Sequence, residues 1–128
     1  MKPICIVDDQ EQICSTISGI LTDEGYDSLV FHDAESFWQS LETTEPSLVL
    51  LDIWLPGVDG LETLKRLQDK FPKLPVIMMS GHAGIETAVR AIKFGAHDFM
   101  EKPLHLDVLL EKVEAALQHQ PAKNGNSS

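Results

Sequence analysis

Five short apolar runs recur along the chain, and stretches with apolar residues at helical spacing lie between and after them. The runs are Pro3–Val7 (PICIV), Ser28–Phe31 (SLVF), Leu48–Leu51 (LVLL), Pro75–Met79 (PVIMM) and Asp98–Met100 (DFM). They are too short for buried helices and mostly continuous rather than alternating, the pattern of strands covered on both faces. Ile13, Ile17, Ile20 and Leu21 share a helical face that Gly25 ends. Asp33 can cap a helix whose Ala34, Phe37, Trp38 and Leu41 share one face, and Asp59 with Glu62 resembles a capping box opening a helix with Leu61, Leu64, Leu67 and Phe71 inward. Ile85, Ala88, Val89 and Ile92 precede Gly95, and Leu106, Leu109, Leu110, Val113 and Leu117 form a last amphipathic helix. Strands and helices in strict alternation bury their apolar surface as a parallel sheet with helices on both faces. The prediction is an α/β domain, a doubly wound five-stranded parallel sheet flanked by five helices, over residues 1–120. The polar stretch 121–128 reads as a linker or an appended tail.

At 128 residues, 43% of them hydrophobic, the chain suffices for one domain with one core. Ten basic against twenty acidic residues leave a net charge of −10. A domain so acidic does not hold nucleic acid by itself, because phosphate neutralisation needs clustered Lys and Arg. It favours divalent cations and basic partners instead. Cys5 and Cys14 have no metal-ligand spacing and suggest neither a disulfide framework nor a zinc site. With no secretory leader pattern and no long apolar span, the expectation is a cytoplasmic protein without membrane contact.

The stretch LVLLDIWLPGVDG (48–60) places a carboxylate, Asp52, at the tip of a core strand. An acid there is costly unless something pairs with it. Functional groups in such sheets gather at the carboxyl ends of the strands. Those ends supply Asp8-Asp9, Asp52, Ser80-Gly81 and Lys102-Pro103, with His32 expected further away. Three carboxylates in one place repel unless a cation joins them, and Mg²⁺ prefers such oxygen ligands. Asp9 and Asp52 suit direct ligation, Asp8 ligation directly or through water, and the Trp54 carbonyl can add an oxygen. Lys102 contributes a fixed positive charge and Ser80 a hydroxyl donor. This set suits phosphoryl transfer to Asp52 as nucleophile. Pro56, Gly57 and Gly60 then shape a loop that leaves the acid accessible. Singly, Asp8-Asp9 reads as a helix-capping turn, Lys102 as a solvated cation and Ser80 as a turn residue; their coincidence at matching strand ends favours the functional reading.

The motifs VDDQ (7–10), LLDIWLPGVDG (50–60), MMSGHA (78–83) and MEKPL (100–104) resemble those of response-regulator receiver domains, the flavodoxin-like, CheY-like fold of two-component signalling. The resemblance covers residues 3–119. It implies that Asp52 is the phosphoacceptor, that Asp8, Asp9, Asp52 and the Trp54 carbonyl hold Mg²⁺, and that Ser80 and Lys102 contact the phosphoryl group. It further implies a cis peptide before Pro103 and a switch coupling Ser80 to Phe99. Phosphorylation would draw Ser80 toward the phosphate, let Phe99 turn inward, and change the surface of the fourth helix, fifth strand and fifth helix. Phe99 lacks a hydroxyl, so its outward state cannot donate a hydrogen bond as a tyrosine would.

The stretch 78–104 is further similar to receivers of NtrC/NtrX-type transcriptional activators. The implied partners are a sensor histidine kinase, a second copy in a phosphorylation-dependent homodimer, and an output domain that this chain lacks. It is either a truncated chain or a stand-alone receiver. The domain is expected to assist its own phosphorylation and slow dephosphorylation without being an enzyme in its own right. Trp54 is expected either to shield the acyl phosphate or to pack on its loop, and His82 flanks the site, whereas His32, His97, His105 and His119 show no ligand spacing.

Three rival readings fit less well. A flavin-binding module wants a Ser/Thr/Gly-rich first loop, where this chain has DDQEQ. A haloacid-dehalogenase-type hydrolase wants an Asp two residues past its nucleophile, where this chain has Trp54. A degenerate docking receiver would lack part of a set that is complete here.

Overall fold

The computed structural model describes residues 2–81 and 84–118. The expectations for His82, His119 and the segment 121–128 fall outside the described residues. Ten elements alternate: β1 (Ile4–Val7), α1 (Glu11–Asp23), β2 (Ser28–Phe31), α2 (Ala34–Ser40), β3 (Leu48–Asp52), α3 (Gly60–Lys70), β4 (Val76–Ser80), α4 (Ile85–Lys93), β5 (Asp98–Glu101) and α5 (Leu106–Gln118). The strands form one sheet in the order β2-β1-β3-β4-β5, and every pairing is parallel. This is the predicted doubly wound fold, with the strand order reversing between β1 and β3.

Alternation of side chains across the pleat divides the core in two. Cys5, Val7, Val49, Leu51, Val76 and Met78 face α2, α3 and α4, meeting Phe37, Leu64, Leu67 and Ala91. Ile4, Ile6, Leu48, Leu50, Ile77 and Met79 face α1 and α5, meeting Ile17, Leu21, Leu109 and Val113. β1, β3 and β4 are buried at every position because helices cover both faces. Full burial of each large aliphatic side chain contributes about 1.5–3 kcal/mol.

Two details differ from the sequence reading. β2 is an edge strand, half-buried, with Leu29 exposed, although its composition resembles the central strands. The strands are also shifted toward their carboxyl ends. Pro3 and Pro75 lie before β1 and β4, since proline has no N–H for a ladder. Asp52, Ser80 and Glu101 belong to the ends of β3, β4 and β5, where backbone pairing continues past the last apolar side chain.

Aspartate caps open α2 and α3. Asp33 Oδ1 accepts from the Ser36 N–H at 2.7 Å, and Asp59 Oδ1 accepts from the N–H groups of Leu61 and Glu62 at 3.0 and 3.3 Å. Such caps are worth about 1 kcal/mol each. Gly60, expected to shape an open loop, is instead the first residue of α3. A Cβ there would lie 2.5 Å from the Ile53 backbone, so the close approach of helix to strand end requires glycine.

Candidate functional site

The register of the sheet assembles the site. Val7 of β1 pairs with Leu51 of β3, so the residues that follow, Asp8 and Asp52, sit side by side. Asp52 pairs with Met79 of β4, which brings up Ser80, and Ser80 pairs with Glu101 of β5. Lys102 comes next, its N–H donating to the Ser80 carbonyl at 2.8 Å. The chain then turns through a cis Lys102–Pro103 peptide.

Asp8, Asp9 and Asp52 each bring a carboxylate oxygen within 4.8 Å of the others. Asp8 and Asp52 are buried, whereas Asp9 is exposed and opens the cluster to solvent. Lys102 Nζ reaches in from β5 and lies 2.7 Å from Asp8 Oδ2, 3.4 Å from Asp52 Oδ2 and 2.9 Å from Gln10 Oε1. The 2.7 Å contact with Asp8 is a close ion pair. The other carboxylate oxygens are held by the backbone: Asp8 Oδ1 accepts from Gln10 N–H at 2.8 Å, and Asp52 Oδ1 from Trp54 N–H at 3.1 Å. Asp8 thus makes the turn into α1 expected of its ordinary reading while its other oxygen faces Lys102.

The electrostatics of this cluster are unbalanced. Burial pushes the Asp52 carboxyl above the usual aspartate range. The Trp54 N–H opposes that shift, Asp8 adds to it, and Lys102 opposes it. Among the described residues, one lysine against three carboxylates leaves two formal negative charges uncompensated. A hard divalent cation would supply that charge, and the donor set consists of the oxygen ligands that Mg²⁺ prefers. The residues therefore fit a magnesium site.

Ser80 is fully buried at the end of β4. Phe99 pairs with Met78 in the ladder, packs half-buried against the α2–α4 side of the core, and borders a groove of about 310 Å³ shared with His105, Val108 and Lys112. Trp54 is 57% exposed and lines a second groove with Val58, Thr87 and Arg90. Gly57 takes a φ of 71° in the intervening turn, a left-handed conformation that favours glycine.

Two contacts near the site were not read from the sequence. Gln10 binds Lys102, and its position two residues after Asp8 was the available signal. His32, expected to lie away from the cluster, has Nδ1 3.1 Å from the Asp8 carbonyl, which also accepts from Cys14 Sγ at 3.2 Å. Edge strand β2 lies directly beside β1, so the end of β2 reaches the Asp8 backbone but not the carboxylates. Burial, assisted by Asp8, pushes the Cys14 thiol up to about 11, which makes it an inert donor. His97 belongs to the opposite edge, where its N–H meets the Val76 carbonyl.

The model of the response regulator receiver domain matches residues 4–114. Nitrogen assimilation regulatory protein NtrX of Azorhizobium caulinodans is 47% identical over 117 residues, which cover 90% of this chain and 26% of that protein. The chain therefore spans about a quarter of that relative's length. The crystal structure of the NtrX receiver domain from Brucella abortus superposes with a TM-score of 0.86 at 45% identity, covering 91% of this chain and 99% of that one. The solution structure of the beryllofluoride-activated NtrC4 receiver domain dimer gives 0.88 at 33% identity, covering 92% and 98%. Among the described residues no helix is long and apolar enough to cross a membrane.

Proposed function

Because the chain belongs to the response regulator receiver domain family of two-component systems, we propose that it is switched by phosphorylation of Asp52, with a sensor histidine kinase as donor. The observation that carries this reading is the buried Asp52 carboxylate inside a three-acid cluster, 3.4 Å from a lysine ammonium. A carboxylate oxygen of Asp52 bonds to phosphorus as the P–N bond of a phosphohistidine breaks, and the departing imidazole nitrogen takes a proton. Asp8, Asp9, Asp52 and the Trp54 carbonyl would hold Mg²⁺, which when bound neutralises charge on the transferring group. Lys102 supplies fixed positive charge, moving from its acid partners to a phosphoryl oxygen. The Ser80 hydroxyl donates to another. Self-assisted phosphorylation and slow loss of the group complete the cycle, so the output is a changed surface rather than a released product.

That surface is the face of α4, β5 and α5. Ser80 drawn toward the phosphate leaves room for Phe99, already half-buried between groove and core, to turn inward. On α4, Ile85, Val89 and Ile92 form a stripe exposed by 84, 47 and 49%. Apolar side chains spaced this way suit a partner, and the occupant proposed is a second copy in a phosphorylation-dependent homodimer. The similarity to an activated receiver dimer supports this. Relatives named as nitrogen-assimilation and DNA-binding transcriptional regulators favour control of transcription by an output domain in the cytoplasm, with no direct nucleic-acid contact from this acidic domain.

The test is intact mass after incubation with acetyl phosphate and Mg²⁺. One added phosphoryl group, dependent on Mg²⁺ and absent in D52A, is expected. No addition, with beryllofluoride also failing to bind, would leave a docking module. Addition that survives in D52A would move the acceptor, with Asp9 next to be tested.

A further inference from the structure

At the edge of the sheet opposite Asp52, a groove of about 680 Å³ opens among the residues that lead into β1, β3 and β4 and the C-terminal ends of α3 and α5. Its floor is apolar and joins both halves of the core: Phe71 and Leu74 pack with one cluster, Leu117 with the other. Pro72 and Pro75 stiffen one wall. Its rim is cationic. Lys2, Lys70 and Lys73 line it, three of the ten basic residues in a chain of net charge −10. Among the described residues Glu45 is the only carboxylate in the lining, and Lys2 pairs with it at 3.0 Å. Lys70 and Lys73 make no ion pair among the described residues.

We infer that this groove docks an acidic peptide segment of a partner protein, with an aliphatic or aromatic side chain seated on Phe71, Leu74 and Leu117 and carboxylates facing Lys70 and Lys73. Charge selects the occupant. A second copy is placed on the apolar α4 stripe of Ile85, Val89 and Ile92, whereas this rim carries Lys2, Lys70 and Lys73 and calls for carboxylates. The chain's own segment 119–128 contains Lys123 and neither Asp nor Glu, so its side chains do not complement a lysine rim. The groove lies about 13 Å of strand away from the phosphoacceptor edge. A partner held there leaves Asp52 and the α4–β5–α5 face accessible, and is retained whatever the state of the switch.

The experiment is a ¹⁵N–¹H NMR titration of the full 128-residue chain with the peptide acetyl-Asp-Glu-Asp-Leu-Phe-Glu-Asp-Glu-amide. Shift changes are expected at the amides of Ser47, Lys70, Phe71, Lys73, Leu74 and Leu117. Affinity is expected to fall about tenfold in a K70E/K73E variant whose spectrum otherwise stays folded, and similarly when Leu-Phe in the peptide becomes Ser-Ser. Acetyl-phosphate labelling of the chain should be unchanged by bound peptide. Shifts confined to α4 and α5, affinity indifferent to K70E/K73E, or no binding at millimolar peptide would overturn the assignment. So would displacement of the peptide by one of sequence 119–128, which would give the groove to the chain's own segment.

Discussion

Asp52 carries a conflict that burial creates and Lys102 only partly relieves. Its carboxyl is pushed upward chiefly by desolvation, with Asp8 adding to the shift. A carboxyl raised in the folded state favours folding when protonated; that contribution is complete below the unfolded-state value and is lost as pH rises through the folded one. At neutral pH the ionised Asp52 therefore weighs against the metal-free fold. D52N keeps an oxygen for the Trp54 N–H and removes the charge. It should raise Tm at pH 7 by about 2–6 °C, and the gain should shrink on acidification toward pH 4. Mg²⁺ should raise the Tm of the natural chain and do little for D52N. A scan of Tm against pH, with and without Mg²⁺, checks both. Lys102 predicts the opposite sign. Its ammonium lies 2.7 Å from Asp8, a fully buried carboxylate. Removing one partner of a buried pair strands the other, typically a loss of about 3–5 kcal/mol. Because the pair retains a 12% exposed lysine, K102A should lose roughly 2 kcal/mol in urea melts, and Mg²⁺ should restore more stability to K102A than it adds to the natural chain.

At the scale of elements, what was legible in the sequence followed from the parallel sheet. Continuous apolar runs and helical periodicity identified the alternation, and a parallel ladder aligns carboxyl ends, so Asp8, Asp52, Ser80 and Lys102 could be read as neighbours. What the pattern cannot carry is side-chain reach and strand rank. Lys102 reaching Gln10 across 92 positions depends on the path of one flexible side chain. His32 meeting the Asp8 carbonyl depends on β2 lying beside β1, which composition does not reveal. Gly60 was legible only as a breaker, although its purpose is contact. A Cβ would stand 2.5 Å from Ile53 backbone atoms, and backbone cannot yield as a side-chain tip can. G60A should therefore destabilise by about 2–4 kcal/mol by chemical denaturation, despite alanine's better helix propensity. Since Ile53 directly follows Asp52, any displaced strand end should also slow acetyl-phosphate labelling. G19A, a control inside α1 with open space around its Cβ, should be neutral or stabilising.

The whole molecule sets ten excess negative charges against a small, well-packed core. Self-repulsion of that size destabilises the compact state, and it is long-ranged enough for salt to screen within a Debye length of about 10 Å at 0.1 M. Two cationic effects should therefore separate. Monovalent salt acts on the whole surface, whereas Mg²⁺ at low concentration acts where three carboxylates converge. Raising KCl from about 0.05 to about 0.5 M should lift Tm by a few degrees equally in the natural chain and in D52N, because only one of twenty acidic residues differs. Mg²⁺ near millimolar levels should lift only the natural chain, and the lift should persist at high KCl because buried pairs are screened less than exposed ones. Calorimetry across the four combinations resolves the two. Equal responses of both chains to Mg²⁺ would reduce the acidic cluster to a patch of surface charge, and with it the basis for placing a metal beside Asp52.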